Sequence, residues 1–231
     1  MEQIKTGRHQ RLSIGISKIG APPFLSGLVR AFVTENPDCQ VQIVEREQGM
    51  APEDMRRIDL HFLTYSGARD METIVLCHDD MVLAVRESVL SAALGPVWPS
   101  LAEKMDATGD LCLMSGIPFV FLDDPSIPQG LGRERTFAAA GFAPEVVASS
   151  ANDRMNYDLC CSGVGGMIAP RGILRYMQKD GANPADMRIF SIRTEGFTPE
   201  LCISYERGRR LTPAAERFIT CARAYFAKNT L

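Results

Sequence analysis

Two short segments carry the polar side chains best suited to hold a small anion. Ser17 and Lys18 end an alternating apolar stretch over residues 11–17 and precede a proline pair that opens a helix. Asn152 stands before a second predicted helix, which either Asn152 or Asp153 caps, and Asn152 either binds the ligand or serves only as a cap. A hydroxyl, an ammonium group and free N–H groups at a helix N-terminus suit a carboxylate, although a cap and a solvated lysine explain the same residues.

Other site chemistries are not indicated by the residue spacing. The three histidines are scattered and lack metal-ligand spacing. The glycine-rich stretch at residues 163–166 precedes a predicted strand and lacks the spacing of a phosphate-binding loop. No nucleophile–base set or carboxylate pair stands out, so we expect no enzymatic activity, no cofactor and no metal.

The seven cysteines are interpreted as buried small hydrophobes. Their number is odd, none has CxxC spacing, and most lie in apolar runs. The adjacent Cys160 and Cys161 are poorly placed for a disulfide bond, which argues against a redox role. Free thiols at this density suit a reducing cytoplasm.

Composition and charge narrow the function classes. The 231 residues include 25 Lys plus Arg and 28 Asp plus Glu, a formal net charge of −3. This balance argues against nucleic-acid binding by the chain alone. The N-terminal residues lack the apolar core of a signal peptide, and no run approaches the ~20 apolar residues of a membrane span. We therefore expect a cytoplasmic protein.

The apolar periodicity predicts an α/β fold with a β-α unit that occurs twice. Three strands in the first copy are separated by helices, so the strands are expected to be parallel. A helical and loop-like stretch at residues 88–115 precedes the second copy, and a closing strand and helix follow it. In the second copy the predicted elements are strand 119–122, helix 133–140, strand 145–149, helix 153–161 and strand 164–169. Two such lobes would hold a ligand in a cleft at the carboxyl ends of strands.

Several motifs in order resemble the effector-binding domain of LysR-type transcriptional regulators. They are the strand at residues 12–17 with Asn36-Pro37-Asp38, then Ile58-Asp59-Leu60, residues 81–85, residues 141–146, the glycine-rich residues 161–170, and residues 201–205 with 211–215. No single motif is specific, but their order and spacing together are. The resemblance extends over about residues 11–227.

The resemblance implies two Rossmann-like lobes joined by a strand hinge, the type II periplasmic-binding-protein fold, with a ligand cleft between them. We expect a disordered or tag-like segment at 1–10, lobe I at 11–85 plus 194–231, and lobe II at 86–193. The expected ligand-binding residues are Ser17, Lys18, Ile19, Met50, Thr64, Tyr65, Phe121, Leu122, Ala151, Asn152, Val164 and Gly165.

The resemblance also implies partners. They are a small effector that carries a carboxylate, and further copies of the chain in a homodimer or homotetramer. In the family a helix-turn-helix domain precedes this one, and the residues before Arg11 leave no room for it. DNA contact is therefore expected only through that missing domain. The alternative is a solute-binding protein of a transporter, which the lack of a signal peptide and the unpaired cysteines oppose.

Overall fold

The structure is a computed structural model of the 231-residue chain. It describes residues 10–16, 22–45, 54, 56–63, 70–123, 133–179, 183–193 and 198–228. The chain divides into two compact units. Unit 1 comprises Met1–His78 and Glu200–Leu231, and unit 2 comprises Asp79–Pro199.

Unit 1 holds one five-stranded sheet with two flanking helices among its described residues. Its elements are β1 (Gln10–Ile16), α1 (Pro22–Glu35), β2 (Cys39–Glu45), β3 (Leu60–Leu63), β4 (Met71–His78), β10 (Glu200–Glu206) and α7 (Pro213–Lys228). The strand order is β2-β1-β3-β10-β4. β1 pairs with β2 and β3 in parallel, as predicted, and β10 runs antiparallel to β3 and β4.

Unit 2 repeats this arrangement. Its elements are β5 (Met81–Arg86), α2 (Glu87–Leu94), α3 (Trp98–Thr108), β6 (Pro118–Leu122), α4 (Arg133–Ala140), β7 (Glu145–Ser150), α5 (Asp153–Cys161), β8 (Gly166–Pro170), α6 (Arg171–Lys179) and β9 (Met187–Ser191). The strand order is β7-β6-β8-β5-β9. β6 is parallel to β7 and β8, whereas β5 is antiparallel to β8 and β9. Each unit therefore has three parallel strands followed by an antiparallel strand and an edge strand.

Aromatic rings fill both cores. In unit 1, Phe32 of α1 meets Phe218 of α7 edge to face, with ring centroids 5.1 Å apart. In unit 2, Phe137 of α4 packs against Phe119 at 4.9 Å and against Phe142 at 5.5 Å, both edge to face. Such pairs contribute about 0.5–1.5 kcal/mol beyond the area that they bury. These contacts hold the helices over the two sheets.

Most predicted elements of unit 2 are confirmed, and two differ. The helices α4 and α5 begin and end where the periodicity predicts. The strand expected at 164–169 begins instead at Gly166, because the N–H of Val164 donates to the carbonyl of Leu159 at the end of α5. Helix α6 has no counterpart in the sequence prediction. It follows β8 directly, and its start at Arg171 lies at the edge described below.

The chain passes from one unit to the other between residues 78 and 79 and again between residues 199 and 200. The predicted lobe boundaries, after residues 85 and 193, lie several residues away, since β5 pairs only with strands of unit 2 among the described residues. The expected N-terminal segment at 1–10 lies outside the described residues except for Gln10. None of the helices in the described ranges has the length and apolarity needed to cross a bilayer.

Candidate functional site

The carboxyl ends of β6 and β7 lie side by side in unit 2. Leu122 at the end of β6 is in register with Ser150 at the end of β7. The N–H of Asp123 donates to the carbonyl of Ser150 at 3.1 Å, so the two chain exits remain adjacent. This edge, which we call the carboxyl edge of unit 2, therefore brings Leu122 close to Ala151 and to the start of α5.

Asn152 is the cap of helix α5. Its Oδ1 accepts the backbone N–H groups of Arg154 at 2.9 Å and Met155 at 3.2 Å, and its own N–H donates to Ser150 Oγ at 3.1 Å. This geometry fixes Oδ1 toward the helix, so the Nδ2 group points away from it. The described part of the chain offers Nδ2 no acceptor, and Asn152 is exposed. Its amide can therefore cap the helix and donate to a ligand at the same time.

Asn156, one turn further along α5, is a residue that the sequence reasoning missed. Its Nδ2 donates to the carbonyl of Ser150 at 3.0 Å, and the residue is 1% exposed. Its buried Oδ1 has no hydrogen-bond partner among the described residues. An unsatisfied buried acceptor lowers the free energy of unfolding by about 1–3 kcal/mol, and a donor within hydrogen-bond distance would recover that loss. The i, i+4 spacing from Asn152 was the available signal.

Phe121 and Leu122 contribute packing at this edge. Phe121 is half-buried and lies with its ring centroid 6.2 Å from that of Phe137. Leu122 is buried. Consecutive strand residues point to opposite faces of a sheet, so the two side chains pack on different sides of it. Between them they can offer an apolar surface but no polar contact.

A cation that the sequence reasoning overlooked lies at the same edge. Arg171 follows β8, and its N–H donates to the carbonyl of Asp80 at 2.8 Å. Its guanidinium donates to Ser191 Oγ at 2.6 Å and lies 3.8 Å from Asp80 Oδ2. Because β7 and β8 are two strand spacings apart, Arg171 and Asn152 are separated by about 10 Å across the edge. A basic residue directly after a strand was the sequence signal.

Asp79 holds the start of helix α6. Its carboxylate accepts the N–H of Gly172 at 3.0 Å and that of Asp80 at 2.8 Å. Burial raises the pKa of the Asp79 carboxyl, although both hydrogen bonds oppose that rise. Asp79 is therefore a buried helix cap rather than a free acid.

Val164 and Gly165 lie at the other end of the sheet. They precede β8, whose first residue is in register with Phe119 near the start of β6. β8 has five residues, so its two ends are about 16 Å apart. The structure thus separates these two residues from Asn152. A Cβ on Gly165 would lie 2.8 Å from the carbonyl oxygen of Pro118, which gives this glycine a steric role.

The six expected ligand residues of unit 1 lie outside the described residues. They are Ser17, Lys18, Ile19, Met50, Thr64 and Tyr65. Two of the strands that precede these residues are described. β1 ends at Ile16, just before Ser17, and β3 ends at Leu63, just before Thr64.

The buried cysteines behave as apolar side chains. Cys160 donates its thiol to the carbonyl of Ala84 at 3.2 Å, and burial raises its pKa to about 12. Burial also raises the pKa of Cys202 to about 12. Both thiols are therefore protonated at neutral pH and are poor nucleophiles. Within the described ranges no group of three or more His, Cys, Asp or Glu side chains could hold a metal ion.

Comparison with known proteins assigns the family. The model of the LysR substrate binding domain matches residues 5–227. The chain belongs to the LysR substrate-binding domain family. A comparison with curated proteins gave no match. The sequence resemblance and the predicted fold class are therefore confirmed, and none of the relatives described next is a transporter component.

Solved structures of LysR-type proteins share the fold of this domain. The effector binding domain of QuiR in complex with shikimate has a TM-score of 0.69 at 18% identity, over 96% of this chain and 100% of that chain. The BenM effector binding domain with its effector benzoate has a TM-score of 0.67 at 13% identity, over 95% and 93%. Full-length CbnR complexed with its target DNA has a TM-score of 0.67 at 19% identity, over 96% and 73%. At identities this low, the structural similarity establishes the fold and leaves the ligand open.

Proposed function

We propose that this LysR-type domain senses a small carboxylate-bearing effector at the carboxyl edge of unit 2. The observation that carries the proposal is the exposed Asn152 amide, which caps α5 and still has a free Nδ2 group among the described residues. A helix N-terminus favours an anion by its dipole, and an N–H donor there adds a charge-assisted hydrogen bond. The QuiR and BenM domains are described with shikimate and benzoate, both carboxylic acids, which supports the same ligand class.

The rest of the proposed site is polar on one side and apolar on the other. Phe121 and Leu122 are proposed to offer apolar contacts from the two faces of the sheet, and Arg171 offers a cationic contact for a longer acid. The lobe I residues named from the sequence, Ser17, Lys18, Ile19, Met50, Thr64 and Tyr65, are proposed as further effector contacts. Effector binding would favour one conformation of the domain by its differential contacts.

The parent regulator is proposed to act in the cytoplasm as a homodimer or homotetramer without enzymatic activity. DNA would be bound through an N-terminal domain, since full-length CbnR is described in complex with its target DNA. The edge strand β7 exposes Val146 and Val147, which are 47% and 46% exposed. Exposed apolar residues on an unpaired edge are a surface that association commonly covers.

Calorimetric titration with sodium benzoate and sodium shikimate tests the ligand class. Asn152→Asp keeps the helix cap, because Asp caps as well as Asn, but places a negative charge where the ligand carboxylate is proposed to lie. We expect an affinity loss of about tenfold or more, about 1.4 kcal/mol, without a lower melting temperature. Asn152→Ser, which keeps a capping oxygen and a hydroxyl donor, is the matched variant and should lose less. Equal binding by the wild type and Asn152→Asp would refute the role of this edge.

Sedimentation velocity tests the oligomer. Val147→Lys on β7 should lower the association state if this edge is covered by another copy. Val75→Lys is the matched control, because Val75 is 41% exposed on β4, an edge strand of unit 1. A monomeric wild type at micromolar concentration would contradict the oligomer proposal.

A further inference from the structure

A concave site lies at the edge of unit 2 where β8 begins, far from Asn152. It is a pocket of about 400 Å³, a size within the range of small-molecule sites. The pocket is lined by Arg86, Ser88, Val89, Ala92, Ala93, Pro118, Ser162 and Gly163. These residues come from the end of β5, helix α2, the start of β6 and the turn after α5. The length of β8, about 16 Å, separates this edge from the carboxyl edge.

Arg86 is the charged residue in the lining. Its Nε donates to both carboxylate oxygens of Asp186, at 3.0 and 3.2 Å, and its Nη1 donates to the carbonyl of Cys161 at 3.3 Å. These bonds hold the guanidinium in one orientation. Within the described part of the chain Nη2 has no acceptor, and Asp186 does not line the pocket. The pocket therefore presents a positioned guanidinium with free N–H donors, whose charge is paired with Asp186 behind it.

Two serines and a glycine complete the polar side. Ser162 Oγ donates to the carbonyl of Asp158 at 2.8 Å and is left as an acceptor. Ser88 Oγ has no partner among the described residues, so it is available as a donor. Gly163 has φ +81°, and a Cβ there would lie 3.8 Å from Arg86 Nη1 and 4.0 Å from Ser88 Oγ. The glycine thus leaves the space beside these two donors open.

The rest of the lining is apolar and is built from small residues. Val89, Ala92 and Ala93 on α2 and Pro118 at the start of β6 all have small apolar side chains. The charge of Arg86 is already balanced by the Asp186 carboxylate, so a dianionic phosphate would find no net positive charge here. A monocarboxylate with a compact apolar body matches one guanidinium, one hydroxyl donor and a wall of methyl groups.

We propose that this pocket is a second ligand site of the domain, specific for small monocarboxylates with an apolar body of about one ring. Arg86 would bind the carboxylate through Nη2, Ser88 would donate a further hydrogen bond, and the alanine face of α2 would contact the ring. The site is independent of the one proposed at Asn152.

Titration of ¹⁵N-labelled protein with sodium benzoate, followed by NMR, tests the site. Saturable shifts of the Ser88 and Gly163 amides are expected, with an affinity of about 1 mM because the ligand is small. Benzamide has the same shape without the charge and should bind at least tenfold more weakly. Unsaturated or charge-independent shifts at these amides would overturn the proposal.

Two variants and a control separate binding from folding. Ala93→Glu places a carboxylate in the pocket and leaves every hydrogen bond of Arg86 in place, so it should abolish the benzoate shifts at Ser88. Ala107→Glu on α3, another exposed helical alanine outside the pocket, should leave them unchanged. Arg86→Gln should weaken binding at least tenfold. Unchanged binding by Ala93→Glu would overturn the proposal.

The outcome at Asn152 distinguishes this site from the proposed effector site. Shifts confined to residues near Asn152 would overturn the second site and leave the effector proposal standing. Shifts at Ser88 that persist in Asn152→Asp support the second site, whatever becomes of the first.

Discussion

The N-terminal ends of β3 and β8 occupy the same place in the two units, and the chain anchors them in opposite ways. Each strand is the third parallel strand of its sheet and lies beside the first, β1 or β6. By register, Asp59 before β3 faces Ser13, and Gly165 before β8 faces Pro118. The start of β3 depends on a side chain, whereas the start of β8 excludes one.

The start of β3 is anchored by hydrogen bonds. The N–H of Asp59 donates to the carbonyl of Ser13 at 2.9 Å, and its Oδ2 accepts the N–H of Ser13 at 2.8 Å. Its Oδ1 accepts from Arg209 Nη2 at 3.1 Å, while Arg209 Nη1 donates to the carbonyls of Ile58 at 2.6 Å and Arg56 at 3.0 Å. One carboxylate and one guanidinium thus join β1, β3 and the exit of β10.

The start of β8 is anchored by close contact. The Cα of Gly165 lies so near β6 that a Cβ would be 2.8 Å from the Pro118 oxygen, which is backbone and cannot rotate away. One sheet topology therefore accepts either a polar clamp or close backbone packing at an equivalent position. Substitutions at these two positions are expected to differ in kind.

Gly165→Ala is expected to have the largest effect. The added methyl group must displace the β6 backbone, so the free energy of unfolding should fall by about 3 kcal/mol, measured by urea denaturation. Gly116→Ala is the control, because its Cβ would meet only the flexible end of Leu94 at 3.1 Å. Equal losses in the two variants would show that close backbone contact at Gly165 does not anchor the start of β8.

Asp59→Ala should cost somewhat less, about 2 kcal/mol. The change leaves the N–H of Ser13 and part of the Arg209 guanidinium without an acceptor in a partly buried place. Urea denaturation again gives the measurement, with Asp54→Ala as the control, since the ion pair of Asp54 with Arg57 is exposed. A loss below that of the control would mean that backbone pairing alone anchors the start of β3.

Arg209→Lys should cost about 1 kcal/mol. Lysine keeps the charge but cannot make three fork-shaped hydrogen bonds to three different acceptors. Arg207→Lys is the matched substitution, because Arg207 makes an exposed pair with Glu72 at 3.1 Å and should be nearly neutral. Urea denaturation is again the measurement. Similar urea midpoints for the two variants would show that charge, rather than geometry, anchors the start of β3.

Asp79 gives the smallest effect and tests a carboxylate held mainly by backbone N–H groups. Burial raises its pKa in the folded state above the unfolded value of about 3.9, so the folded state binds the proton more tightly. The stability that this group contributes is present below the unfolded pKa and is lost as the pH rises through the folded pKa. The free energy of unfolding, measured by urea denaturation, should therefore fall in the wild type relative to Asp79→Asn as the pH rises from about 4. A relative gain in stability over that range would contradict the raised pKa.

Local patterns predicted most elements because their causes are local. Helix α5 ends where the apolar period ends, and Asn152 before it is the cap that its residue type indicates. Helix α6 escaped prediction because its cap, Asp79, lies 93 positions away in sequence. Arg171 escaped for the same reason: a basic residue after a strand gains meaning only once its neighbours are known.

The sequence by itself determined the β-α alternation, the burial of Cys39, Cys160 and Cys202 and, through ordered motifs, the family. Periodicity and residue type suffice for these, since each depends on residues close together in the chain. The tertiary structure decided which edge each residue reaches. It brought Asn152 and Arg171 to one edge of unit 2 and put Gly165 at the other, and it joined Asp59 to Arg209 across 150 positions. Strand order and direction are set by long-range pairing, which no local pattern records.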